Sequence, residues 1–124
     1  MLTVTFNGEF QSITSIDDFG LALDRFDRFN QFELWVSVEG GPSMRMLRNG
    51  RHAWLMYLRF QDDSGLVSQG KTSAPGMVPY VLANGQVDEY PLAWCIDVEQ
   101  SYKALAYFFV NEGAQPSWVH WHEV

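Results

Sequence analysis

Asp97-Val-Glu-Gln-Ser-Tyr-Lys-Ala-Leu-Ala-Tyr-Phe-Phe-Val-Asn-Glu-Gly-Ala-Gln-Pro-Ser-Trp-Val-His-Trp-His-Glu123 is the stretch whose reading decides the fold. Val98, Tyr102, Leu105 and Phe109 recur at spacings of four, three and four, which puts them on one face of a helix. Asp97 is placed to cap its first turn and Glu99 to meet the positive end of its dipole. Gly113 stops it and Pro116 forbids its continuation. Trp118, Val119 and Trp121, interleaved with His120, His122 and Glu123, then predict a closing strand with rings on both faces. A helix and a strand of this kind require a sheet upstream to pack on and to join.

That sheet is legible from the other end of the chain. Leu2, Val4 and Phe6 alternate with polar residues, the period of a half-buried strand, until Asn7-Gly8 breaks it. Ser15 opens a helix with Asp17 and Asp18 in its first turn and Ile16, Phe19, Leu23 and Phe26 on one face. Gly20 within it suggests a close approach to the sheet. From Phe32 the period returns to two, with Phe32, Leu34, Val36 and Val38 on one face and Glu33, Trp35, Ser37 and Glu39 on the other. Gly40-Gly41-Pro42 turns the chain into a strand over 43–48, and Asn49-Gly50 predicts a tight two-residue hairpin into a strand over 51–60. That third strand is apolar on both faces, as a central strand covered on each side would be. Further strands are expected over 66–69, 78–82 and 87–91, with Pro79 confining its own strand to an edge or a first position. The expected architecture is α+β: a mostly antiparallel, twisted sheet in the order strand, helix, strand meander, helix, strand, with two helices packed on one face and the other face open. No linker or repeat divides residues 1–124, so a single domain is expected.

Hydrophobic residues make up 47% of the 124 and charged residues 19%, a composition that buries a core without disulfides or metals. The net charge of −7 disfavours a phosphate backbone as partner and favours a basic protein. Cys95 stands alone, and the opening residues show no basic and apolar leader, so a cytoplasmic, membrane-free protein is expected.

Chemistry-bearing patterns are sparse. His120 and His122 lie two apart with only His52 besides, too few for a closed metal site, so no metal or other cofactor is expected. Gly70-Lys71-Thr72 is set aside as an imitation of the end of a phosphate-binding loop. Asp62-Asp63 and Asp88-Glu89 read as acidic turns, and no catalytic set emerges; the chain is not expected to be an enzyme. Trp54, Trp94 and Trp121 read as core, whereas Trp35 and Trp118 are as readily exposed as buried.

Leu66-Val-Ser-Gln-Gly70, the acidic helix start Val98-Glu99-Gln100, Ala106-Tyr-Phe-Phe109, Pro116 and the ending Val119-His-Trp121-His-Glu123-Val resemble family one of the polymorphic-toxin immunity proteins. The resemblance covers roughly the second half of the chain. The long segment from Lys71 to Met77 and the extra tryptophans depart from it, which bears on partner choice more than on fold. It implies a protein that neutralises one cognate bacterial toxin, in this family often a nucleic-acid deaminase, by covering its active site, with no direct contact to nucleic acid. A deaminase holds phosphates on a basic surface, which an acidic inhibitor can contest. The expected contact lies on loops at one end of the sheet, through Asp62, Asp63, Ser64, Lys71, Asp88, Glu89 and Tyr90, with Trp35 and Trp118 added from the open face. Trp121 and Glu123 are assigned to structure, Glu123 pairing with Arg45, Arg48 or Arg51. The competing reading is a small-ligand or peptide-binding module using the aromatic face of the sheet.

Overall fold

The computed structural model describes residues 2–71 and 73–124; Thr72, within the expected loop from Lys71 to Gly76, and Met1 lie outside it. In chain order the elements are β1 (Leu2–Phe6), β2 (Glu9–Gln11), α1 (Ile16–Phe26), β3 (Gln31–Val38), β4 (Ser43–Asn49), β5 (His52–Leu58), β6 (Leu66–Ser68), β7 (Met77–Val81), β8 (Val87–Pro91), β9 (Ile96–Asp97), α2 (Val98–Val110) and β10 (Trp121–Glu123). The main sheet runs β10-β6-β5-β4-β3-β1-β2 with β9 added to β5, while β7 and β8 form a separate two-stranded sheet. All the strand pairings described are antiparallel, so the α+β expectation holds.

Local chemistry sets the helices. Ser15 Oγ accepts from the Asp18 N–H at 3.0 Å, and Phe19, Ala22, Leu23 and Phe26 of α1 are buried. Gly20 faces solvent, and a Cβ there would meet nothing within 4 Å, so no close approach explains it. Asp97 caps α2 by accepting from the Glu99 N–H at 2.9 Å. The face that α2 buries is Val98, Ser101, Ala104, Leu105 and Phe108; Tyr102 and Phe109 flank it, Phe109 stacking on Phe19 at 4.8 Å. The chain leaves α2 through Glu112 and Gly113, both at positive φ, and the Gly113 N–H reaches back to the Phe108 carbonyl at 2.8 Å. A Cβ on Gly113 would sit 2.7 Å from the Pro42 ring, so this exit requires glycine twice over.

Both helices pack on one face of the main sheet, against Val4, Phe32, Leu34, Val36, Met44, Met46, Ala53, Leu55 and Tyr57. The opposite face is not open. The β7–β8 hairpin lies across it, burying Val78 and Tyr80 against Leu47, Trp54, Val67 and Cys95. Pro79, lacking an N–H, stands in a strand with one partner, as its chemistry demands. Asn49 Nδ2 donates to the Pro79 carbonyl at 2.8 Å, which holds β7 down on the sheet.

Four local expectations shift. Asn7 and Gly8 do not merely end β1: both at positive φ, they make the two-residue loop of a β1–β2 hairpin in which Phe6 pairs with Glu9. The β4–β5 loop is Gly50-Arg51 rather than Asn49-Gly50, because Asn49 stays paired with His52 while Gly50 takes the positive φ. The closing strand is shorter than expected. Trp118 sits in a turn ahead of it, and only Trp121–Glu123 pairs with β6. Glu123 meets Arg59 at 3.5 Å, since Arg45 is held by Glu33 and Arg48 by Asp27.

Candidate partner-binding surface

Strand register places Thr5, Trp35, Arg45, Met56, Val67 and His122 in one cross-strand row on the hairpin side of the main sheet. Beside the row stands Glu33, a buried carboxylate on the same side. Glu33 Oε2 accepts from Arg45 Nε at 2.6 Å and from Trp35 Nε1 at 3.1 Å, and Oε1 accepts from the Ala83 N–H at 2.9 Å. Burial alone would raise its pKa. The Ala83 N–H, the Arg45 charge and the hydrogen bonds from Arg45 and Trp35 outweigh burial and hold the carboxyl below its ordinary value. Glu33 therefore stays ionised, orients Arg45 and Trp35, and ties the tip of the β7–β8 hairpin to β3.

From this anchor a file of rings crosses the molecule. The Arg45 guanidinium lies 5.4 Å from the Trp35 ring and 5.5 Å from the Trp54 ring. Tyr90 stacks on Trp54 at 4.4 Å and neighbours Trp94 at 6.2 Å; Trp94 in turn meets His122 at 4.7 Å. Burial, and then the Asp88 carboxylate 3.4 Å from its hydroxyl, push the Tyr90 phenol above its ordinary pKa, so it remains a neutral donor. Each ring pair contributes roughly 0.5–1.5 kcal/mol beyond its buried area. The result is a stiff file that is buried at Trp54 and reaches solvent only in part through Trp35, Tyr90 and Trp94, with its cation already neutralised.

Of the sequence-predicted contact residues, Trp35 and Tyr90 both lie against Arg45, and Asp88 joins them through the Tyr90 hydroxyl, with Glu89 on the other face of β8. Lys71 and Trp118 meet elsewhere, with Gln100 and His120, on the wall of a cleft of about 560 Å³ beside the start of α2. Trp118 is partly exposed and packs edge-on against Tyr107 at 5.0 Å. Cys95 also borders this cleft, its thiol buried, 2.8 Å from the Tyr80 hydroxyl and pushed up in pKa by burial.

Asp62, Asp63 and Ser64 lie apart from both groups, in the β5–β6 turn. Asp63 is not free to meet a partner. Its side chain is only 3% exposed and grips Arg59 through Nε at 2.8 Å, Nη2 at 2.9 Å and the backbone N–H at 2.9 Å. Those bonds, the Arg59 guanidinium first, hold the Asp63 carboxyl well below the usual carboxylate range. Asp62, at positive φ, and Ser64 are exposed. The three loops expected at one end of the sheet do not converge: the hairpin tip hangs over Glu33 and Gly8, near the Gly50-Arg51 end, away from the Asp62 turn.

Sequence reasoning missed Glu33 and Arg45. The available signal was a carboxylate in mid-strand, one ladder step from the Trp35–Arg45 pair once that register is known. Gly65 does stand five residues before Gly70, so Gly65-x4-Gly70-Lys71-Thr72 carries the whole phosphate-loop spacing. The fold removes that meaning, because Leu66–Ser68 form a strand paired to β5 and β10, and the next element is β7 rather than a helix. Among the described residues no three His, Cys, Asp or Glu side chains cluster as metal ligands, and no helix is long and apolar enough to cross a membrane.

The sequence matches the family described as Immunity protein Imm1 over residues 12–123. No curated protein matches it.

Proposed function

The chain belongs to the Imm1 immunity protein family, and from that premise we propose that it neutralises its cognate toxin by docking the hairpin side of the molecule over the toxin's active site. The observation that carries this is the Trp35–Arg45–Trp54–Tyr90 file, a rigid support buried at Trp54 and partly exposed at Trp35 and Tyr90, with Asp88 and Glu89 on the strand that carries Tyr90. Buried aromatics supply most of the energy in such interfaces, and opposite charge supplies the rate of encounter. The toxin is proposed to be a nucleic-acid deaminase, whose basic substrate surface suits a partner of net charge −7. Binding then blocks substrate access without chemistry on the inhibitor's part, in the cytoplasm of the cell that makes it.

Co-expression with a candidate toxin from a neighbouring gene tests the reading. The chain should rescue growth and co-purify as a complex, and Trp35→Ala should weaken that complex about 10- to 100-fold. A toxin that neither binds nor is neutralised defeats the proposal. Asp88→Ala and Glu89→Ala should slow association at low salt, and unchanged kinetics would remove the electrostatic part. In the small-ligand alternative, the cleft beside Lys71 and Trp118 is the place to look, and Trp118→Ala would then abolish function while Trp35→Ala would not.

A further inference from the structure

The β7–β8 hairpin is apolar on both faces, and only one of them is used inside the molecule. Val78 and Tyr80 point inward and are buried. Outward, register pairs Met77 with Pro91, Pro79 with Glu89 and Val81 with Val87, so five of the six side chains on this face are apolar. Met77 is 54% exposed, Val87 55% and Val81 39%. Aliphatic residues of this size, aligned across two strands, are costly to leave in water unless something covers them.

Along the chain, the charge flanking them has one sign. From Thr72 to Tyr102 the sequence contains Asp88, Glu89, Asp97 and Glu99 and no lysine or arginine. Glu89 is the single charge on the outer face of the hairpin. The platform is also held in place before any partner arrives: Asn49 bonds to the Pro79 carbonyl at 2.8 Å, Glu33 to the Ala83 N–H at 2.9 Å, and the Leu82 N–H to the Gln86 carbonyl at 2.8 Å. A preformed surface loses little freedom on binding.

Building on the proposed function above, we infer that the outer face of the β7–β8 hairpin, Met77, Pro79, Val81, Val87 and Glu89, is a principal seat of the toxin, taking an apolar anchor of the toxin flanked by a lysine or arginine that meets Glu89. The occupant is a basic protein rather than a second copy of this chain, because two-fold pairing of the stripe would set Glu89 near its equivalent on chains of net charge −7 each. The same charge repels nucleic acid. The seat is backed from beneath by the Trp35–Tyr90 file, since Tyr90 and Glu89 are consecutive residues on opposite faces of β8.

The experiment measures affinity of the full chain for the purified domain of the toxin that it neutralises in co-expression. Val81→Ser with Val87→Ser should weaken binding about 10- to 100-fold with an unchanged melting temperature, and Glu89→Lys should slow association about tenfold at low salt. Leu21→Ser and Val110→Ser, exposed on the two helices, should bind as the native chain does. Native-like affinity of the hairpin double variant, beside a native chain that binds, overturns the inference and leaves the proposed function standing. Absence of binding by the native chain instead overturns the proposed function, and the inference with it. A native dimer in sedimentation that the double variant dissociates identifies the occupant as a second copy and also overturns the inference.

Discussion

The two sides of the central sheet are built on different physics. On the helix side, eighteen buried apolar residues form one continuous cluster that joins both helices to β1, β3, β4 and β5. On the hairpin side the buried cluster has six members, and order comes from directional contacts: Glu33 with Arg45, Trp35 and Ala83, Asn49 with Pro79, and Tyr80 with Cys95. Burial of area is indifferent to direction, whereas a hydrogen bond or a stacked ring fixes orientation. The helix side holds the molecule together, and the hairpin side holds a surface in shape.

Substitutions on the two sides should therefore read out differently. The largest loss is expected for Phe108→Ala, fully buried on α2, at about 3–5 kcal/mol in chemical denaturation, with the folded fraction retaining its toxin affinity. A cost near 1 kcal/mol would break the comparison. Next is Gly70→Ala: the new Cβ would sit 2.3 Å from the Cys95 carbonyl oxygen and 3.0 Å from that of Ala93, backbone that cannot swing aside, so a loss of roughly 1–3 kcal/mol in thermal unfolding is expected. Replacing Glu33 by Gln should cost about 2 kcal/mol by removing a charged acceptor from Arg45. Hydrogen exchange should then quicken at the Ala83 amide and stay slow in α2; equal loosening on both sides would erase the distinction.

Acid sharpens the same contrast. Folding lowers the pKa of both Glu33 and Asp63, so the unfolded chain takes up their protons first. Their contribution is present in full above the unfolded carboxylate values of about 4 and is lost as pH falls through the lower folded values. Stability followed from pH 6 to pH 2 should decline below about pH 4, and Glu33→Gln should flatten that decline. The smallest effect is expected for Trp118→Ala, which removes one edge-on contact with Tyr107 at a partly exposed site: about 0.5 kcal/mol in the same denaturation assay.

Elements that depend on near neighbours were legible before any coordinates. Ser15 with Asp17 and Asp18, the Phe19-Leu23-Phe26 face, the alternation from Phe32 to Val38 and the double-sided character of β5 all reappear in the fold. Errors cluster where a local signal competes with a distant one. Asn49-Gly50 carries the strongest hairpin signal in that region, yet the loop forms a residue later, with the Asn49 side chain bonded thirty residues away to Pro79. Of the expected contact residues, Trp35 from the sheet face and Tyr90 from the expected loop group both lie against Arg45, a proximity that no local signal carried, and Asp63 is occupied by Arg59.

By itself the sequence determined both helices and most of the longer strands, though not β2 or β9, together with the acidic net charge and the family resemblance, because periodicity, capping and charge are properties of residues a few positions apart. Tertiary structure alone decided that β7 and β8 leave the main sheet to lie across it, that Glu33 becomes the hub for Arg45, Trp35 and Ala83, and that the Met77–Val87 face is left bare. Those outcomes depend on which of two apolar faces finds a partner, and that is settled by contacts between residues far apart in the chain.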